Sequence, residues 1–111
     1  MAISKELAKG STALLVLSVL KKEDLYGYQI IRTLEIMSEK VFQLNEGTLY
    51  PILHSLEKEG YLTAYWSDPG ESARRRKYYK ITPQGLKELE SQTQEWNTYS
   101  QAVTKVLHAN A

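Results

Sequence analysis

Three stretches of this sequence predict a mainly α-helical fold that carries one small β-hairpin. Asn45 to Glu59 spaces Leu49, Ile52, Leu53 and Leu56 three and four residues apart, the period of a helix with one apolar face. Next, Tyr61-Leu-Thr-Ala-Tyr-Trp66 is rich in β-formers, Ser67-Asp-Pro-Gly70 is turn chemistry, and Lys77 to Thr82 reads as the returning strand. Pro83 opens a long helix. Its residues Leu86, Leu89, Thr93, Trp96, Ser100, Val103 and Leu107 follow at alternating intervals of three and four, the spacing of a coiled-coil seam.

Composition bounds what such a chain can be. With 111 residues, 42% of them hydrophobic, it should form one domain with a modest core, of the size often completed by oligomerisation. There are no cysteines, which excludes a disulfide framework, a thiolate metal site and a thiol nucleophile. The longest apolar run, Ala13 to Leu17, is far shorter than the roughly 20 residues that span a bilayer. The N-terminus has lysines but no apolar segment ending in a small-residue cleavage site, so the expectation is a soluble, cytoplasmic protein with no membrane partner.

Taken in order, Ile3 to about Leu20 reads as one helix that becomes apolar on most sides towards its end. Lys21-Lys22-Glu23-Asp24 is a polar connection, and Asp24 can introduce a helix from Tyr26 to about Ser38 with Gly27, Ile30, Ile31, Leu34 and Met37 on one face. Glycine early in a helix costs up to about 1 kcal/mol relative to alanine, so Gly27 marks either a close helix crossing or a simple boundary. Val41-Phe-Gln-Leu44 alternates weakly and is a candidate short strand beside the hairpin.

The helix from Asn45 is the candidate reader of a nucleic-acid groove. Opposite its apolar stripe lie Thr48, Pro51, Ser55 and Lys58, flanked by Tyr50 and His54, side chains that can meet base edges, thymine methyls or phosphate oxygens. Gly60 is a natural helix stop. Two N-caps compete: with Asn45, Pro51 falls just after the first turn and costs one backbone bond, whereas with Thr48 it is harmless. Between Ser72 and Thr82 stand Arg74, Arg75, Arg76, Lys77 and Lys80 with no acidic residue, although the whole chain sums to +1. The positive charge is thus concentrated on the hairpin, interleaved with tyrosines, where a polyanion would relieve its self-repulsion.

The helix from Pro83 has little left to pack on once the compact part is closed. It reads as a dimerisation arm using Leu86, Leu89, Trp96, Val103 and Leu107, with packing in cis on the first helix as the alternative; the two arrangements are compatible. The expected division is residues 1–82 as the binding domain and 83–111 as the dimerisation helix. An enzyme is not expected. The only histidines are His54 and His108, the only aspartates Asp24 and Asp68, and there is no glycine-rich phosphate loop or metal-spaced cluster, so neither cofactor nor metal is implied. The near pairs Glu57/Glu59 and Glu88/Glu90 are splayed apart by helical spacing.

Four blocks in order, Tyr26-Gly-Tyr-Gln-Ile30, Glu46-Gly-Thr-Leu-Tyr-Pro51, Leu56-Glu-Lys-Glu-Gly60 and Arg75-Arg-Lys-Tyr-Tyr-Lys-Ile-Thr82 followed by Gly85, resemble the PadR family of bacterial transcriptional regulators. The likeness runs from about residue 7 to residue 107, and the single helix after the hairpin resembles the family's short members. It implies a winged helix-turn-helix with the Asn45 helix as recognition helix and the hairpin as wing. It also implies a homodimer that binds double-stranded DNA at a pseudo-palindromic operator, mostly as a repressor. Carried over by position, base-reading contacts fall to Thr48, Tyr50, Pro51, His54 and Ser55, with Gly47 permitting close approach. Phosphate contacts fall to Arg74, Arg75, Arg76 and Lys77, and to Tyr26 and Tyr28. Some short members bind planar aromatic compounds in a pore at the dimer interface, which makes a small aromatic effector a candidate partner, with Trp96, Leu14, Ser18 and Leu89 as its candidate site. Gln92, Thr93 and Ser100 nearby are polar for such a pore, and a Trp96 that only stabilises the dimer is the alternative. A winged helix used purely for protein interaction is the rival reading, kept open by the acidic Glu46, Glu57 and Glu59.

Overall fold

The computed structural model describes residues 3–67 and 75–111; Arg74 and most of the turn expected at 67–70 lie outside the described residues. Among the described residues, five helices and three strands follow in the order α1 (Lys5–Lys9), α2 (Thr12–Lys22), β1 (Leu25–Tyr26), α3 (Gly27–Met37), α4 (Glu46–Lys58), β2 (Leu62–Trp66), β3 (Lys77–Ile81) and α5 (Pro83–Ala109). Two caps place the central elements. Asn45 Oδ1 accepts from the Thr48 amide at 2.9 Å, so Asn45 is the N-cap of α4 and Pro51 lies inside the helix. The proline leaves the Gly47 carbonyl without its intrahelical donor, a modest loss because both residues are exposed to water. At the other end Gly60 has φ +85°, and the Tyr61 and Gly60 amides donate to the Leu56 and Glu57 carbonyls at 2.9 and 3.0 Å, a Schellman stop that turns the chain into the wing.

The sheet order is β1-β3-β2, antiparallel throughout. In one cross-strand row Leu25, Tyr79 and Ala64 stand side by side on the core face; in the next, Tyr26, Tyr78 and Tyr65 stand on the outer face. The core gathers Val16, Leu17, Val19 and Leu20 of α2, Ile30 and Leu34 of α3, Leu49, Leu53 and Leu56 of α4, Leu25, Leu62 and Tyr79 of the sheet, and Leu89 of α5. Helix α2 is therefore the central element, packed on α3, α4, α5 and β3.

Thr82 locks the base of the wing to α5. Its hydroxyl donates to the Gly60 carbonyl at 2.7 Å and accepts from the Gly85 amide at 2.9 Å, while its own amide donates to the Tyr61 carbonyl at 3.0 Å. A β-carbon at Gly85 would overlap the Tyr61 carbonyl oxygen and lie 2.7 Å from Ile81 Cγ1. Beyond this junction α5 runs on for 27 residues, about 40 Å. From Thr93 to Ala111 every residue is exposed except the half-buried Ser100.

Three local expectations are corrected. The N-terminal segment is two helices rather than one, because Ser11 and Thr12 hydroxyls donate to the Ala8 carbonyl at 3.2 and 2.9 Å and take the place of a continuing backbone ladder. The extra strand is β1, not Val41 to Leu44. That stretch is drawn into the end of α3, where Glu39 and Lys40 take left-handed φ of 53° and 69° and Ser38 Oγ accepts from the Phe42 amide at 2.9 Å. Asp24 does not cap the following helix: Tyr26 occupies the N-cap position of α3, and its amide donates to Gln29 Oε1 at 3.2 Å.

Candidate nucleic-acid interface

The apolar spacing of α4 rotates one face into the core and so fixes what the other presents. Leu49, Leu53 and Leu56 are buried, and Gly47, Thr48, Tyr50, Pro51, His54 and Ser55 are all exposed. Tyr50 also reaches sideways to the start of α3. A β-carbon at Gly27 would come within 2.8 Å of the Tyr50 hydroxyl, so the glycine admits the tyrosine ring at a close approach between helices.

Between this edge of α4, the N-terminus of α3 and the wing lies an open groove of about 620 Å³. Tyr26, Gly27 and Tyr28 line one side, Glu46 and Tyr50 another, and Trp66, Arg75, Arg76, Lys77 and Tyr79 the third. The first-turn amides of α3 have no acceptors within the helix and carry its positive dipole end, so this side favours an anion. Among the described residues, three cations face one carboxylate, Glu46, across the groove. The described part of the sequence-predicted phosphate set therefore converges: Tyr26, Tyr28, Arg75, Arg76 and Lys77 share one groove, with Gly47, Thr48, Pro51, His54 and Ser55 on the adjoining exposed face of α4.

The cations are held rather than free. Ser67 clamps the Arg76 backbone on both sides, its amide donating to the Arg76 carbonyl at 2.8 Å and its hydroxyl accepting from the Arg76 amide at 3.0 Å. The Arg76 guanidinium donates to the Tyr26 hydroxyl at 2.7 Å and lies 4.6 Å from the centre of that ring. Arg75 stands 5.6 Å over the ring of Trp66, and Lys77 is 3.8 Å from Glu57 of α4 and 5.4 Å from the Tyr79 ring centre. At the partly exposed Lys77–Glu57 pair solvent screens the attraction, which is worth well under about 1 kcal/mol. Burial pushes the Tyr79 phenol above its ordinary value, and the Lys77 charge pulls the other way.

Trp66 was missed by sequence reasoning as a groove residue. The signal was there in the strand's alternation, which puts Trp66 on the same face as Ala64 and Leu62 but one step past the core. The second set of candidates, on α5, divides. Leu89 is buried in the subunit's own core and Leu14 packs against it, so both spend their surface within one chain. Ser18 is exposed, and Leu86, Trp96, Val103 and Leu107 are exposed by 42, 45, 40 and 66%. Tyr99 and Val106 join them in the open, with the Trp96 and Tyr99 rings 6.3 Å apart. None of the four effector candidates lines the groove. Among the described residues no helix is long and apolar enough to cross a membrane.

The chain matches known proteins over most of its length. The family model of the PadR-like transcriptional regulators matches residues 16–91. An uncharacterised protein of Lysinibacillus sphaericus is 31% identical over 94 residues, 85% of each chain. The solved structure of a transcriptional regulator from Clostridium thermocellum is similar with a TM-score of 0.83 and 34% identity, over 91% of this chain and 97% of the other. That of a PadR family regulator from Eggerthella lenta is similar with a TM-score of 0.81 and 34% identity, over 92 and 86%. The winged helix, the basic groove beside an exposed polar helix and the long last helix thus stand in a chain that belongs to the PadR-like family of transcriptional regulators.

Proposed function

We propose that this regulator is a homodimeric repressor that binds a pseudo-palindromic DNA operator. The observation that carries the reading is the groove: wing cations and the amino end of α3 converge beside the polar face of α4, so phosphates can be held where α4 meets the base edges. Thr48, Tyr50, Pro51, His54 and Ser55 read the major groove, and the exposed Gly47 lets the α4 backbone approach the duplex. Arg75, Arg76, Lys77, Tyr26 and Tyr28 hold the backbone, together with Arg74 from beyond the described residues. Phosphate replaces the Trp66 ring beside the exposed Arg75 at little cost, since cation–π contacts at exposed sites are worth about 0.5–1 kcal/mol, while Arg76 keeps its Tyr26 hydroxyl and turns its remaining N–H groups to phosphate.

Two subunits joined through the exposed half of α5 present two α4 helices to successive major grooves about 34 Å apart, and the bound dimer blocks the promoter sterically. Trp96, uncovered in the single subunit, is where a small planar aromatic effector would enter the dimer. Such a ligand acts by changing the relative orientation of the two reading heads, because half-site spacing tolerates little change. The test is fluorescence anisotropy on a labelled duplex from upstream of the protein's own gene, against scrambled competitor at two salt concentrations. Binding retained under competitor supports the reading. Binding lost equally to any duplex leaves only general phosphate affinity and overturns operator recognition.

A further inference from the structure

The outer row of the sheet forms a continuous chain of contacts from Asp24, outside the groove lining, to the groove cation Arg76. Tyr26, Tyr78 and Tyr65 are direct cross-strand partners on β1, β3 and β2. The Tyr65 and Tyr78 rings stack at 5.6 Å and 12°, and Tyr78 meets Tyr26 edge-on at 5.5 Å and 79°. At the far end the Tyr65 hydroxyl donates to Asp24 Oδ2 at 2.7 Å, so this side chain of β2 spans β3 and is tied down just ahead of β1. At the near end the Tyr26 hydroxyl accepts from Arg76. Neither Asp24, Tyr65 nor Tyr78 lines the groove.

β1 has only two residues, and its pairing with β3 is short. A strand of that length draws little rigidity from its own ladder, so the side chains stacked across it decide how firmly Tyr26 is held. Tyr26 is also the N-cap of α3 and the partner of Arg76, so its placement sets both the amino end of α3 and the direction of the guanidinium. Among the described residues, Asp24 is the hydrogen-bond partner that fastens the Tyr65 end of this row. We propose that Asp24 and Tyr65 are positioning residues of the DNA interface, which fix Tyr26 through the stacked Tyr78 and thereby aim Arg76 at its phosphate. The proposal rests on the DNA-binding reading above and adds to it two residues that touch no DNA.

The experiment compares wild type, Tyr65→Phe, Asp24→Ala, Asp24→Asn, Arg76→Ala and the Tyr65→Phe/Arg76→Ala pair on the same upstream duplex over a salt series. In parallel, the Arg76 side-chain Nε–Hε resonance of the free protein is followed by NMR, and melting temperature checks the fold. Loss of one hydrogen bond's worth of ordering should weaken binding by about 3- to 10-fold in Tyr65→Phe and Asp24→Ala. The slope of log affinity against log salt should fall by about 0.9, the value of one phosphate contact. Asp24→Asn, which can still accept from the hydroxyl, should retain most of the affinity and so exclude a simple effect of the lost charge. The double variant should be no weaker than Arg76→Ala alone, and the Arg76 resonance should move in Tyr65→Phe without DNA. Unchanged affinity and slope in Tyr65→Phe beside a loss in Arg76→Ala, or additive losses in the pair, overturns the proposal and leaves DNA binding standing. Unchanged binding in Arg76→Ala removes Arg76 from the phosphate contacts and overturns the proposal, leaving the other wing cations to hold the DNA.

Discussion

The first turns of α5 and its distal half carry the same spacing of apolar residues and meet opposite fates. Leu89 closes the core beneath α2, whereas Trp96 and Val103, one and two heptads on, stand in water. A repeat of three and four states only that a residue needs cover. Where the cover comes from depends on how far the neighbouring elements reach, and α2 ends at Lys22 while α5 continues past the compact region. Leu89 thus finds its cover within one chain, and the proposed homodimer is what would cover the distal residues.

The largest separation of the two regions should come from truncating a buried and an exposed leucine. Leu17 is fully buried, and Leu17→Ala should lower folding stability by about 2–5 kcal/mol at any protein concentration. Leu107 is 66% exposed, so Leu107→Ala should act only through assembly, with a melting temperature that changes with protein concentration. Denaturation of both variants at two concentrations checks this; an equal, concentration-independent loss would erase the distinction. A more selective break is Val103→Asp with Leu107→Asp, which should halve the mass seen by analytical ultracentrifugation while near-UV CD of the compact region is retained.

The smallest effect concerns the sheet. Donation to Asp24 raises the Tyr65 phenol above its ordinary 10.0, and burial raises Tyr79. The folded chain therefore keeps these protons after the unfolded chain has released them, so the stability they contribute is complete below pH 10 and falls as pH rises towards the higher folded values. Melting temperature should decline as pH rises above about 10, less steeply in Tyr65→Phe and Tyr79→Phe. A decline of the same slope in both variants would assign the alkaline loss to other groups.

Local chemistry made α4, its stop at Gly60, both long strands and the start of α5 at Pro83 legible in the sequence, while the N-cap of α4 stood open between Asn45 and Thr48. Asn45, Gly60, Thr82 and Pro83 act on neighbours within a few residues. What was not legible depends on distant partners. β1 is a strand only because Leu25 and Tyr26 meet Tyr79 and Tyr78, more than fifty residues later. The groove likewise joins Tyr26, Tyr50 and Trp66, whose proximity follows from packing and not from spacing. The basic run announced the wing's charge, but not that Arg76 is clamped by Ser67 and turned onto Tyr26.

The division of labour between the compact region and the distal helix is tested most directly by hydroxyl-radical footprinting on the upstream duplex, with wild type and the Val103→Asp/Leu107→Asp variant side by side. Wild type should protect two segments about 34 Å apart on one face of the duplex, and the variant should protect one segment weakly or none. Two equal footprints from the variant, or one unpaired footprint from wild type, would contradict it.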